Sequence, residues 1–222
     1  MSEEVTIQEG QIQLKGILGV PTEAAGIVIF AHGSGSGRLS PRNQFVARKL
    51  QEQGMATLLM DLLSEDEELD RANVFDIELL ADRLLLSKRW LALRAQTQGL
   101  AVGYFGASTG AGAALVAAAK SPANVFAVVS RGGRPDLADL YLPQVQAPTL
   151  LIVGGDDDIV IQLNNQALKR MTCERSLKIV PGATHLFEEH GALEQVANQA
   201  TVWLREHIFR PEGGREFRPL LQ

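Results

Sequence analysis

Leu100-Ala101-Val102-Gly103-Tyr104-Phe105-Gly106-Ala107-Ser108-Thr109-Gly110-Ala111-Gly112-Ala113-Ala114-Leu115 runs from a strand to a helix through one serine. Leu100 to Phe105 is an apolar run of strand length, and Ala111 to Ala119 is alanine-rich, which suits a helix packed closely on a sheet. Between them stands Gly106-x-Ser108-x-Gly110. A serine in such a turn sits on strained backbone with its Oγ exposed, and small neighbours let a substrate approach. The helix behind it offers unpaired N–H groups and the positive end of its dipole. A glycine-rich turn with a capping serine would read the same way, so the motif needs support from the rest of the chain.

Outward from this turn, strands and helices alternate. Upstream, Val5, Ile7, Ile12 and Leu14 alternate with polar residues around Glu9-Gly10-Gln11, as in a half-exposed antiparallel hairpin. Gly26 to Ala31 is continuously apolar, which predicts a strand covered on both faces. Ser40-Pro41 opens a helix that should run to about Gln53 and stop at Gly54. Met55 to Met60 reads as a strand, and Phe75 to Ala95 as one amphipathic helix. Downstream, Val125–Ser130, Thr149–Val153 and Leu177–Val180 are strands, and Leu193, Val196, Ala197, Ala200 and Trp203 mark a final helix. This order predicts an α/β fold: a mostly parallel twisted sheet, helices on both faces and an N-terminal antiparallel hairpin. Residues 1–210 are expected to form a single domain, with 211–222 a surface tail. Between the strands at Met55 and Leu100 there is room for about one helix and a loop, so no large cap domain is expected. The acidic run Ser64–Asp70 is expected to be a solvated loop.

The bulk properties exclude several classes of partner. The 222 residues carry a net charge of −5 with no basic stripe, which argues against nucleic acid. Apolar runs such as Ile27–Ala31 are too short to cross a bilayer, and Met1-Ser2-Glu3-Glu4 lacks the features of a signal peptide. The single cysteine, Cys173, can form no internal disulfide. Cytoplasm is the expected location.

Chemistry-bearing residues recur after the strands, where parallel sheets bind ligands. Pro181-Gly182-Ala183-Thr184-His185 follows the last strand, so His185 can reach a serine on a nearby strand end and take its proton. Between serine and histidine, an apolar strand runs into Asp156-Asp157-Asp158, and one of these can orient the imidazole. A tetrahedral intermediate requires two N–H donors. Thr109, after the serine, supplies one, and the loop His32-Gly33-Ser34-Gly35-Ser36-Gly37 supplies the other, expected at Ser34. His32 is expected to brace that loop, and His190 and His207 to be surface histidines. The loop lacks the Gly-Lys-Ser/Thr of a phosphate-binding loop.

On these segments the chain resembles the dienelactone hydrolase-like branch of the α/β-hydrolase superfamily. The matching pieces are His32 to Arg38, Gly106 to Gly110, Gly154-x-x-Asp157-x-x-Val160 and Gly182-x-x-His185. The resemblance implies an α/β-hydrolase fold and a triad of Ser108, Asp157 and His185, with Asp158 as runner-up for the acid. It also implies no metal and no organic cofactor. Dienelactone hydrolases carry cysteine where this chain has Ser108, which argues against dienelactone as substrate and for a small serine esterase.

Arg38, Arg42, Arg131 and Arg134 follow predicted strand ends, so they are candidates to hold a substrate anion, Arg38, Arg131 and Arg134 foremost, with ordinary salt bridges as the other reading. The expected activity is hydrolysis of a small ester or related acyl bond, with a small-molecule substrate as the partner. Acyl transfer or peptidase chemistry would use the same triad, and a non-catalytic scaffold could keep the same fold.

Overall fold

The computed structural model of the protein describes residues 2–208. The expected tail, 211–222, lies outside the described residues. An eight-stranded sheet forms the frame, in the order β1-β2-β4-β3-β5-β6-β7-β8. Its strands are β1 (Ser2–Glu9), β2 (Ile12–Gly19), β3 (Ile27–Ala31), β4 (Ala56–Met60), β5 (Val102–Ala107), β6 (Val125–Arg131), β7 (Thr149–Gly154) and β8 (Arg175–Val180). β1 and β2 form the expected antiparallel hairpin, and β2 joins β4 antiparallel. Every pairing from β4 to β8 is parallel.

The continuous apolar character of β3 follows from its place in the middle of this sheet. Ile27, Ile29 and Ala31 face one core, with Leu80 and Leu84 of α4 (Ile77–Ala92) and Leu115 of α5 (Thr109–Lys120). Val28 and Phe30 face the other core, with Val46 and Leu50 of α1 (Pro41–Glu52) and Val196 and Leu204 of α7 (Ala192–Ile208). Each of these side chains other than Ala31 contributes about 1.5–3 kcal/mol on burial. α1 starts as expected, with Ser40 Oγ accepting from the Asn43 N–H at 3.4 Å and proline in its first turn. Gly54 then takes φ +76°, the left-handed geometry that ends a helix.

Some local expectations are corrected. The acidic run is not a loop: Glu65–Glu68 is a one-turn helix, α2, closed by a capping box between Ser64 and Glu67. Phe75 does not begin the long helix. It ends a second short helix, α3 (Arg71–Phe75), and Asp76 starts α4 anew by accepting the Leu79 N–H at 3.0 Å. β5 starts after Leu100 and continues through Ala107 to the serine. α6 (Asp158–Arg170) and a 3-10 segment (Pro135–Gln144) complete the chain. Neither was bounded in the sequence, because the buried stripe of α6 includes the polar Asn164. His207 is not a surface histidine but 3% exposed, with Nδ1 bonded to Trp203 O at 2.7 Å. No helix among the described residues is long and apolar enough to cross a membrane.

Candidate active site

Four loops, after β3, β5, β7 and β8, meet at the carboxyl ends of the parallel strands. Ser108 stands between β5 and α5 with φ 50° and ψ −121°, a conformation that an L-residue adopts only when its surroundings enforce it. The enforcing contacts are visible. Ser108 O accepts the N–H groups of Ala111 and Arg134 at 3.1 and 3.0 Å, and Ser108 N–H donates to Arg131 O at 3.3 Å. The flanking glycines are required by space. A Cβ on Gly106 would meet Ala111 Cα at 2.4 Å, and one on Gly110 would meet Ala31 O at 2.3 Å.

Asp157 and His185 come together from consecutive strand ends. Asp157 precedes α6 at the N-cap position, yet its carboxylate makes no cap bond. It accepts from His185 Nδ1 at 2.6 Å instead. Since a carboxylate only accepts, the Nδ1 of His185 carries the proton of this bond, and in the neutral imidazole Nε2 keeps its lone pair. The two turns are held together by backbone, with Asp156 N–H on Ala183 O at 3.0 Å and Gly155 N–H on Val180 O at 2.8 Å. Asp157 is the better covered partner, its side chain 15% exposed against 38% for His185. Gly132, after β6, passes under the imidazole, where a Cβ would lie 3.5 Å from His185 Cε1. Among the described residues neither Ser108 Oγ nor His185 Nε2 has a hydrogen-bond partner. Asp158, the runner-up acid, is the first residue of α6.

The glycine loop after β3 lies against the serine, and a Cβ on Gly33 would come within 3.0 Å of Ser108 Cβ. His32 braces it: Nε2 accepts from Leu62 N–H at 3.0 Å, leaving Nδ1–H to donate to Gly33 O at 2.9 Å. Ser34 N–H points at the start of α5, where it donates to Thr109 Oγ1 at 3.1 Å. The Thr109 N–H has no partner among the described residues.

Beside Ser34 and Thr109 opens a cavity of about 360 Å³ with an apolar wall of Leu62, Leu63, Val74, Phe75 and Leu80. Val74, Phe75 and Arg71 on its edge belong to α3, and the sequence reading missed all three. The cap residues Ser64 and Asp70 were the signal that could have located these short helices. The larger cavity, about 740 Å³, lies alongside and holds Lys15, Arg38, Asp61 and the acidic residues of α2.

The four candidate arginines do not converge on the smaller cavity, and Arg42 pairs with Glu188 at 3.0 Å. Arg38 is tied to Asp61 at 2.5 Å on the wall of the larger one. Arg134 holds Asp136 through two bonds, at 2.9 and 2.7 Å. Arg131 is buried toward α1, where it reaches Asn43 Oδ1. Among the described residues no three His, Cys, Asp or Glu side chains group as metal ligands.

The dienelactone hydrolase family model matches residues 14–209. A solved structure of a dienelactone hydrolase from Anabaena variabilis is 55% identical, with a TM-score of 0.90 over 93% of this chain and 98% of that one. Est1E from Butyrivibrio proteoclasticus shares the fold at 18% identity, with a TM-score of 0.80 over 93% of this chain and 99% of its own. Proteins from two strains of Mycobacterium tuberculosis, provisionally named phosphoribosyl transferases, are 58% identical over 209 residues. That match takes in 94% of this chain and 47% of theirs, so the chain spans about half the length of these curated relatives.

Proposed function

The chain belongs to the dienelactone hydrolase family of α/β hydrolases, and from that premise we propose that it is a serine hydrolase cleaving a small carboxylic ester or related acyl bond. One observation carries the reading: the 2.6 Å bond from His185 Nδ1–H to Asp157 fixes the tautomer, so that in the neutral imidazole Nε2 is the proton-accepting nitrogen on the strand end beside the strained Ser108 turn. Ser108 Oγ attacks the acyl carbon as His185 Nε2 takes its proton, and the carbonyl π pair moves onto oxygen. The Thr109 and Ser34 N–H groups receive that oxyanion. Thr109 Oγ1 holds the Ser34 donor in place until the more strongly accepting oxyanion replaces it. Collapse expels the alcohol, which leaves with the proton from His185. Water activated by His185 then cleaves the acyl-serine and releases the acid.

The 360 Å³ cavity with its aliphatic and Phe75 wall suits a short acyl or aryl group, and Arg71 at its edge is available to a polar substituent. Labelling with a fluorophosphonate followed by mass spectrometry tests the reading. Modification at Ser108 is expected, and a folded protein that stays unlabelled would exclude it. A p-nitrophenyl ester series then ranks acyl length, with the shortest chains expected to turn over best.

The mycobacterial names raise phosphoribosyl transfer as a second reading. Those proteins are about twice as long as the match, and a serine–histidine–aspartate arrangement has no role in displacing diphosphate from a sugar. Incubation with a phosphoribosyl donor and a nucleobase separates the two; no diphosphate release is expected from this chain.

A further inference from the structure

The hydrolase chemistry leaves Arg131 unexplained. It ends β6, is 7% exposed, and points toward the first turn of α1. Its Nη2 donates to Asn43 Oδ1 at 3.4 Å, a long bond. Its Nε and Nη1 are buried with no hydrogen-bond partner among the described residues. Phe187 covers the guanidinium with its ring centroid 6.0 Å away, which favours a cation but accepts none of its N–H bonds in the ring plane. Burial, joined by the neighbouring cation Arg42, pulls the Arg131 guanidinium down to about 10. A lone buried cation beside another cation is strongly destabilising, and folds keep such groups only where something compensates them.

Arg42 repeats the pattern. Its Nη1 bonds Glu188 Oε1 at 3.0 Å, but its Nε is buried without a partner. Two guanidinium groups therefore leave three buried donors unused around the N-terminal turn of a 12-residue helix. That turn adds the positive end of the α1 dipole. Glu188 is the carboxylate of the cluster, and its bond goes to Arg42, not to Arg131.

We propose that Arg131, Arg42 and the first turn of α1 form a binding site for a small inorganic anion, of the phosphate or chloride kind, next to the loop that carries His185. The anion accepts from the unused N–H groups and neutralises Arg131. The neighbouring residues tie its occupancy to that loop: Phe187 lies over Arg131, and a Cβ on Gly132 would be 3.1 Å from His185 O. The site is separate from the 360 Å³ cavity, and the proposal does not depend on the hydrolase reading.

Thermal unfolding of the full chain tests it. The protein is dialysed into a gluconate buffer and titrated at constant ionic strength with sodium phosphate and, separately, with sodium chloride. A saturating rise in Tm is expected with at least one of them, as binding to the native state alone requires. Which salt acts identifies the kind of anion. Arg131→Met should abolish the rise, and Arg42→Gln should weaken the apparent affinity roughly tenfold or more, as loss of a charge-assisted bond implies. Should Arg131→Met fail to fold, Arg42→Gln carries the comparison. Crystals soaked in bromide should show an anomalous peak between the two guanidinium groups when chloride is the active ion. The proposal is overturned by no saturating rise in either salt, or by a rise that the variants share with the wild type.

Discussion

Gly110→Ala puts the packing of the serine turn to a direct test. The added methyl would lie 2.3 Å from Ala31 O and 2.4 Å from His32 O. Carbon and carbonyl oxygen ordinarily stay about 3.3 Å apart, so the turn and the exit of β3 must separate by about 1 Å. Both obstructing atoms are backbone, so no rotamer change relieves the clash. Overpacking of this kind costs ~1–3 kcal/mol, against a gain of up to ~1 kcal/mol from replacing glycine in a helix. A net loss of about 1–2 kcal/mol in urea unfolding is therefore expected. The effect on turnover should be larger than on stability. The same movement pulls the Ser34 loop away from Thr109, and a 1 Å misplacement of reacting groups costs about 100-fold in rate. The assay pairs urea denaturation with kcat on p-nitrophenyl acetate. Gly35→Ala is the control: it meets nothing within 4 Å, so at φ +70° it should lose about 1–2 kcal/mol of stability to backbone strain while keeping most of its kcat. A Gly110→Ala protein within ~0.5 kcal/mol of wild type and with most of its kcat would refute the packing argument.

Asp157→Asn should leave the fold intact by circular dichroism but lower kcat about 10⁴-fold, since the amide permits the wrong imidazole tautomer. Ser108→Gly should be inactive yet more stable than Ser108→Ala by about 1–2 kcal/mol in urea, because glycine accepts φ 50° without strain. Thr109→Val removes the acceptor for Ser34 N–H; stability should fall by ~1–3 kcal/mol while kcat changes less than about tenfold. A 100-fold drop in kcat would instead mean that the hydroxyl itself donates to the oxyanion. Burial raises the Cys173 thiol, so at pH 8 less of it is thiolate, and iodoacetamide should alkylate it more slowly than free cysteine.

Much of the site was legible because its pieces sit where short-range rules apply. The strand–Gly-x-Ser-x-Gly–helix order placed Ser108, and the apolar runs before Asp157 and His185 placed those residues on strand ends. The choice among three adjacent aspartates rested on a family resemblance, and in the structure the Asp157 carboxylate is the one bonded to His185. The pocket wall was not legible. α3 is five residues long, too short for an apolar period to show, and it exists through its Asp70 cap.

The arginines mark the same division more sharply. Position after a strand end predicted a common role for Arg38, Arg42, Arg131 and Arg134, but that position does not say which way a side chain turns or what it meets there. Asp61, Asp136 and Glu188 take up Arg38, Arg134 and Arg42, and Arg131 lies under the His185 loop beside α1. The sequence by itself determined the order of elements and the strand ends that hold Ser108, Asp157 and His185, because periodicity and turn chemistry are local. Only the tertiary structure decided the pocket, the partner of each charge and the bond from Ser34 to Thr109. Those depend on residues far apart in the chain meeting across a packed sheet, 75 positions for Ser34 and Thr109 and 146 for Arg42 and Glu188.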